Sequence, residues 1–184
     1  MNTSQIQCCI DCSSLLSKSI IGVYAADQLP SFSNYDKQFP YGFIANTDEH
    51  TKPGKHWCAF YFPNRLTVEY LDSYGMPIEY FNHYFPEYVK KCSNVIFNSK
   101  QLQSVNSDVC GMYCLYFMIK RLSGVSFYDF INSFSNDLNF NDFEVYNYFS
   151  TVFSECMHNI CVKNQACKAI KYLKKYLFFV LPFF

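Results

Sequence analysis

The sequence lacks a long apolar run, an internal repeat and an excess of charge of either sign. A membrane-spanning helix needs about 18 or more apolar residues in a row, and the nearest approach is the short segment from Leu177 to Phe184. The 15 basic residues balance 15 acidic ones. No global field would therefore attract nucleic acid, and any such binding would need a local patch.

The N-terminal segment also lacks the features of a secretory signal. No basic residue precedes the first apolar positions, and Cys8, Cys9, Asp11 and Cys12 fall where a signal peptide has an uninterrupted apolar stretch. We therefore expect a protein that is not secreted. In a reducing compartment most of its 10 cysteines would be free thiols.

Core-forming residues, in contrast, are abundant. Apolar residues make up 50% of the chain and aromatic residues 20%, which is too rich for a disordered segment. A length of 184 residues fits one domain of ordinary size. We predict a single domain over 1–184, with its functional motifs in 20–122 and a helical lobe with a basic, aromatic tail in 123–184.

A β-hairpin is the clearest local prediction. Aromatic residues dominate from His56 to Phe62, Pro63 to Arg65 forms a turn, and Leu66 to Asp72 alternates between apolar and polar residues. The two ends of an antiparallel hairpin lie side by side. His56 and Asp72 should therefore be neighbours.

A buried helix is predicted from Cys110 to Leu122, because this stretch is apolar on all sides. Ser107 or Asp108 would cap its start, and Lys120 and Arg121 suit its end. Cys110 would then lie at the positive end of the helix, where a thiolate is favoured over a thiol.

The remaining pattern predicts an α+β fold with a central mixed β-sheet flanked by helices. Further helices are expected over 78–91, limited by Pro86, and over 127–134 and 141–153, the last two capped by Ser126 and Asn139. Short strands are expected over 41–47 and 94–98.

Three of these residue types together suit nucleophilic catalysis. Cys110 needs a base to remove its proton, and the imidazole of His56 titrates close to neutral pH. The carboxylate of Asp72 would orient the ring and stabilise its protonated form. Cys114, on the same helix, is better explained as a small buried apolar residue.

With these sites placed, the sequence resembles the adenain family of cysteine endopeptidases, which are related to proteases that deconjugate SUMO and other ubiquitin-like proteins. The resemblance rests on His-Trp-x-Ala-Phe from His56, on Asp72 and on Gln-x6-Cys-Gly from Gln103. It implies that Gln103 donates to the oxyanion and that Trp57 and Asn46 lie at the substrate cleft. From the residues alone, Trp57 would be a core anchor and Asn46 a turn residue.

The resemblance implies a cysteine endopeptidase of a virus or virus-derived element, which cleaves precursor proteins such as capsid proteins next to Gly. The host cytoplasm or nucleus, or the virion, is the expected location. A SUMO or ubiquitin-like deconjugating protease is the alternative that would use the same residues. An effector-type acyltransferase and a catalytically silent interaction module are alternatives of another class.

No obligatory cofactor is expected, but the resemblance implies two activating partners. An activating peptide would form a disulfide with Cys92, which we expect to be exposed at a sheet edge, with its pKa lowered by Lys90 and Lys91. DNA would bind a strip formed by Lys168, Lys171, Lys174 and Lys175. The alternatives are an incidental cysteine and solvated lysines.

The cysteines do not follow a zinc-binding pattern. Ligand-type residues are present near both ends of the chain: Cys8, Cys9, Cys12, Cys156, His158, Cys161 and Cys167. Only Cys9 and Cys12 stand at a spacing typical of a zinc finger, and a second such pair is missing. We therefore expect no metal site.

Overall fold

A computed structural model describes residues 1–32, 38–154 and 156. The helices are α1 (Thr3–Cys12), α2 (Tyr84–Val89), α3 (Cys110–Leu122), α4 (Phe127–Asn132) and α5 (Leu138–Val152). The strands are β1 (Ile20–Tyr24), β2 (Tyr41–Asn46), β3 (Trp57–Asn64), β4 (Thr67–Leu71) and β5 (Asn94–Phe97).

The strands form one five-stranded sheet in the order β1-β2-β3-β4-β5. The two outer pairs, β1 with β2 and β4 with β5, are parallel. The two inner pairs are antiparallel. The predicted α+β fold with a mixed central sheet and flanking helices is therefore confirmed.

Both faces of the sheet are covered, which places the central strands in the core. Alternate side chains point to opposite faces of a strand, so Ile44 and Ala59 face α1, α3, α4 and α5. Phe43 and Phe60 face the other way, toward α2. Within the described ranges, no helix is both long and apolar enough to cross a membrane.

The β3–β4 hairpin forms as predicted, although its turn lies later in the chain. The strand continues through Pro63 to Asn64, and the turn is made by Arg65 and Leu66. The Asn64 side chain accepts from the backbone N–H groups of Leu66 and Thr67 at 2.9 and 3.0 Å. These two hydrogen bonds stabilise a turn that lies later than the one predicted at Pro63 to Arg65.

Helix α3 has the predicted bounds but not the predicted cap. Its N-cap residue is Val109, and no side chain caps this end. Neither Ser107 nor Asp108 therefore has the predicted role. At the other end, the backbone N–H groups of Gly124 and Val125 donate to the carbonyls of Arg121 and Lys120.

The structure corrects two other helix predictions. The helix expected over 78–91 is the shorter α2, because the preceding residues form turns and Pro86 fits the first turn of a helix. Helix α5 starts earlier than expected, since Asp137 rather than Asn139 accepts from the first free N–H groups. Helix α4 begins after the predicted cap, Ser126.

Helix α1 had no counterpart in the sequence prediction. Asn2 and Gln5 form a reciprocal capping box at its start, each side chain accepting from the backbone of the other at 2.9 Å. Ile6 and Ile10 are buried in the same core as α3. The helix therefore covers the sheet face that also carries the start of α3.

Candidate active site

His56 immediately precedes β3 and is buried, with 5% of its surface exposed. Its backbone carbonyl accepts from the N–H of Thr47 at 2.9 Å, which continues the pairing of β2 with β3. The imidazole is therefore held at the end of the central strand of the sheet rather than on a free loop.

The hairpin brings Asp72 against His56, as the sequence predicted. Oδ1 of Asp72 lies 2.5 Å from Nε2 of His56. Asp72 is fully buried, so this contact is not weakened by solvent. Because Nε2 faces the carboxylate, Nδ1 is the nitrogen left for another partner.

Backbone groups hold the Asp72 carboxylate in place. Oδ2 accepts from the N–H of Met76 at 2.7 Å, and Oδ1 also accepts from the N–H of Tyr74 at 3.3 Å. Hydrogen bonds to an ionised carboxylate stabilise its charged form. The turn that follows β4 thus keeps an acceptor directed at the imidazole.

Asn98 also fixes Asp72, and the sequence analysis did not single it out. This buried side chain accepts from the Asp72 N–H at 3.1 Å and donates to the Asp72 carbonyl at 2.7 Å. It donates to the Lys100 carbonyl as well. The signal available in the sequence was an Asn at the end of the strand predicted over 94–98.

Cys110 is the first residue of α3, and its side chain is buried. Burial raises the pKa of the Cys110 thiol, whereas the hydrogen bond and charge of His56 and the backbone N–H of Trp57 lower it. The net pKa lies below the ordinary thiol value. The thiolate is therefore favoured at this position.

The imidazole shifts in the complementary direction. Burial lowers the pKa of His56, but its contacts with Cys58, Asp72 and Cys110 raise it, and the net change is upward. A raised His pKa beside a lowered thiol pKa favours a thiolate–imidazolium pair over two neutral groups. The geometry thus provides an activated nucleophile next to a proton donor.

Two aromatic rings that the sequence analysis did not identify lie against this imidazole. The ring of Tyr74 stacks on His56 with centroids 4.7 Å apart, and that of Phe81 lies at 5.2 Å. Trp57, the residue after His56, was expected to be a core anchor that also lies at the substrate cleft. Its indole N–H donates to the carbonyl of Met1 at 2.9 Å, and the side chain packs in the core with α1 and α3.

A second thiol, Cys58, also touches His56. It is fully buried, burial raises its pKa, and the Tyr70 hydroxyl donates to its sulfur at 3.2 Å. The ligand atoms of His56, Cys58 and Asp72 lie close enough to hold a metal ion. In this arrangement, however, the three groups interact with one another and with Cys110 instead of with a metal ion.

Gln103 lies between β5 and α3, and its backbone N–H donates to the carbonyl of Ser73, the residue after Asp72, at 2.9 Å. Its side-chain oxygen accepts from the Ser73 hydroxyl at 2.6 Å. Its nitrogen donates to the carbonyl and hydroxyl of Ser107 at 2.7 and 3.1 Å, and faces the Tyr74 hydroxyl at 3.4 Å. The amide is thus fixed beside the catalytic turn, and its oxyanion role stays a prediction.

Asn46 organises the loop that leads to His56. Its oxygen accepts from the backbone N–H groups of Asp48 and Lys55 at 2.9 and 3.3 Å. Gly54 has a φ of +84° and approaches so closely that a Cβ there would lie 2.8 Å from the Asn46 nitrogen. This is the behaviour of a turn residue, and the substrate-binding role of Asn46 stays a prediction.

The structure contradicts the expected properties of Cys92. The residue follows α2 and precedes the edge strand β5 as expected, but it is buried, and burial raises its pKa. Lys90 pairs with Glu87, and Lys91 lies over the rings of Phe32 and Tyr88. The two lysines therefore do not activate this thiol.

The lysine strip lies outside the described residues, as do three of the possible zinc ligands. These residues are Lys168, Lys171, Lys174, Lys175, His158, Cys161 and Cys167.

Comparison with known proteins finds viral proteases that are similar to this chain in sequence. No protein-family model matches the chain. The chain is 32% identical over 123 residues to a protein of Acanthamoeba polyphaga mimivirus that is named as a thiol protease. It is 29% identical over 119 residues to a cysteine protease of African swine fever virus. The chain is similar to viral thiol proteases.

These alignments cover 59% and 58% of the chain, but only 39% and 42% of the relatives. The chain thus spans about two fifths of the length of the curated relatives that it matches. In three dimensions, the African swine fever virus protease superposes with a TM-score of 0.50, covering 71% of this chain and 60% of the viral enzyme at 17% identity. That likeness establishes the shared fold.

Proposed function

We propose that the protein is a cysteine endopeptidase of the adenain type. One observation carries the proposal, namely that Oδ1 of Asp72 lies 2.5 Å from Nε2 of the buried His56, an imidazole that lowers the pKa of the Cys110 thiol at the start of α3. The two viral relatives support this assignment, because both are named as proteases that use a thiol.

The chemistry proceeds through an acyl-enzyme. The Cys110 thiolate attacks the scissile carbonyl carbon and forms a C–S bond. As the tetrahedral intermediate collapses, the C–N bond breaks and His56 gives its proton to the leaving amine. Neutral His56 then accepts a proton from water, which forms a C–O bond with the thioester and releases the acid as the C–S bond breaks.

The oxyanion of each intermediate would be stabilised by two donors. The backbone N–H of Cys110 lies at the N-terminal end of α3, where N–H groups have no partner within the helix. The side-chain amide of Gln103 would be the second donor. It would have to turn one proton from Ser107 toward the substrate.

We propose viral precursor proteins, including capsid proteins, as substrates, with cleavage next to Gly. Support comes from the family resemblance and from the viral relatives. The rings of Tyr74 and Phe81 beside His56 also restrict the space next to the reacting groups. A residue without a side chain would fit such a restricted approach.

An activating peptide bound through Cys92 and DNA bound through the C-terminal lysines are part of the same proposal. A disulfide at Cys92 would require this buried thiol to become exposed first. Activation should therefore be slow unless the peptide itself opens the region between α2 and β5.

The test is cleavage of a peptide library that is read by mass spectrometry, combined with a panel of ubiquitin-like C-terminal probes. Cys110→Ala should abolish cleavage, whereas Cys114→Ala serves as the matched control in the same helix. Cleavage within extended Gly-containing peptides supports the proposal. Reaction only with the ubiquitin-like probes would make the protein a deconjugating enzyme instead.

A further inference from the structure

Three cysteines that the active site does not use converge on one point of the surface. The sulfurs of Cys8, Cys12 and Cys156 all lie within 4.8 Å of one another. Cys8 and Cys12 face each other at 4.0 Å. The cluster joins α1 to the chain beyond the end of α5.

The helix geometry explains which cysteines meet. Residues four apart lie on the same face of a helix, so Cys8 and Cys12 project side by side from α1. Cys9 points away from them into the core and is fully buried. The spacing that suggested a zinc finger, Cys9 with Cys12, is therefore not the pair that the fold brings together.

Cys156 completes the cluster from a distant part of the chain. Its sulfur is 3.5 Å from the Cys8 carbonyl, and it forms a disulfide with Cys12 across 144 residues of sequence. This disulfide departs from the expectation of free thiols, although the other cysteines among the described residues are free.

The disulfide uses the sulfurs of Cys12 and Cys156 and does not explain why the Cys8 sulfur lies beside them. A tetrahedral zinc ion with bonds of about 2.3 Å to sulfur requires its ligands to lie about 3.8 Å apart. The Cys8 and Cys12 sulfurs are already at 4.0 Å. Two ligands at positions i and i+4 of one helix is also a recurring arrangement in zinc proteins.

We propose that the reduced chain binds one zinc ion through the thiolates of Cys8, Cys12 and Cys156. Water completes the tetrahedron, since Cys12 is exposed and Cys8 is partly exposed while Cys156 is buried. Soft thiolate ligands select zinc over magnesium or calcium. The site lies on α1 and beyond α5, away from the catalytic residues, so its effect is to connect these two segments.

Metal binding and the disulfide exclude each other. Two molecules of a small cellular thiol reduce the Cys12–Cys156 bond, supply two electrons and leave as their own disulfide. The zinc ion then replaces the protons of three thiols, so its binding releases three protons. The zinc would fasten α1 to the end of α5 in a reducing compartment, as the disulfide does in an oxidising one.

The position of α1 explains why such a fastening is useful. Gly111 of α3 leaves room for it, since a Cβ there would lie 3.2 Å from Cδ1 of Ile6. The Met1 carbonyl accepts from the indole of Trp57, whose backbone N–H reaches Cys110. A metal at Cys8 and Cys12 would therefore hold in place the helix that packs against the start of α3, next to Cys110.

The experiment measures zinc rather than activity. The full chain is purified anaerobically with a reductant, incubated with zinc, desalted and analysed for metal per chain by mass spectrometry. Cys8→Ser is the decisive variant, because it removes a ligand but leaves the Cys12–Cys156 pair intact. Cys9→Ala is the matched control from the same helix, and thermal melting is followed with and without a strong zinc chelator.

The proposal predicts about one zinc per chain in the wild type and in Cys9→Ala, and its loss in Cys8→Ser. The chelator should lower the melting temperature of the wild type and leave that of Cys8→Ser unchanged. A reduced wild type without zinc would overturn the proposal and leave a simple disulfide. Zinc that persists in Cys8→Ser, or that disappears in His56→Ala, would place the metal elsewhere and overturn it equally.

Discussion

Oδ1 of Asp72 lies 2.5 Å from Nε2 of His56, and the residues between them form a single β-hairpin. The two groups therefore meet through a local element and do not depend on distant parts of the chain. The nucleophile comes from elsewhere, at the start of the helix that packs on the same sheet. The site therefore combines His56 and Asp72, which are close in sequence, with Cys110 from a distant part of the chain.

Replacement of Asp72 should show whether catalysis needs the imidazole to be oriented by a carboxylate or only to be present. Asp72→Asn removes the charge that stabilises protonated His56 and places the wrong group opposite Nε2. We expect kcat to fall by on the order of 10²-fold or more, with a smaller change in KM. Steady-state kinetics on a cleaved peptide checks this, and an unchanged kcat would remove Asp72 from the catalytic set.

The thiolate–imidazolium pair should be visible in the pH dependence of alkylation. The Cys110 pKa is lowered, so alkylation should remain fast below the ordinary thiol pKa of 9.0 and should fall only below the lowered value. His56→Ala removes the main lowering interactions and should move the profile upward. Mass-spectrometric mapping of the label checks the site, and the same profile in both proteins would contradict the assignment.

The rate of peptide cleavage should also fall at alkaline pH. The His56 pKa is raised, so the proton needed by the leaving amine is present up to that value and is lost above it. The cleavage profile should therefore stay broad through neutral pH, with an acid limit from Cys110 and an alkaline limit from His56. Comparison with alkylation separates the limits, since alkylation needs no proton donor.

Gln103 should affect turnover more than substrate binding. Loss of one oxyanion donor costs on the order of 10²–10³ in kcat, and Gln103→Ala should show this with little change in KM. Gln103→Glu keeps an oxygen for Ser73 but loses the donor, so it should show a similar loss. Melting curves control for folding, and an effect on KM alone would assign Gln103 to substrate binding.

Asn98 should act on catalysis through Asp72. Asn98→Ala leaves the buried N–H and carbonyl of Asp72 without their partner, which costs roughly 1–3 kcal/mol of unfolding free energy for each unsatisfied group. We also expect kcat to fall, because the carboxylate is less well fixed. Asn98→Asp retains the acceptor but sets a carboxylate against the carbonyls of Asp72 and Lys100, so it should not recover kcat. Loss of stability with unchanged kcat would restrict Asn98 to folding.

Gly42 should tolerate no side chain. A Cβ at this position in β2 would lie 2.8 Å from the Phe60 carbonyl and 2.9 Å from two atoms of Met118. Gly42→Ala should therefore lower the free energy of unfolding by about 1–3 kcal/mol through overpacking. Denaturant titration measures it, and an unchanged free energy of unfolding would contradict the prediction. Adding Met118→Ala should not restore stability, because it leaves a cavity in the core and the Phe60 carbonyl still cannot move away.

Elements with a local signal could be predicted from the residues alone. The hairpin from His56 to Asp72, the helix from Cys110 to Leu122 and the mixed α+β architecture follow from hydrophobic periodicity, turn residues and chain length. A hairpin also specifies which residues lie side by side, so the contact of His56 with Asp72 could be predicted before any tertiary arrangement was known.

The surroundings of those groups depend on how distant segments pack together. Tyr74 and Phe81 flank the imidazole and Asn98 anchors the carboxylate because separate segments pack together, and no spacing in the sequence encodes such contacts. Cys92 is buried although lysines precede it. Cys8, Cys12 and Cys156 meet because helix α1 selects a face and the chain returns after α5, which is a long-range outcome that local patterns do not contain.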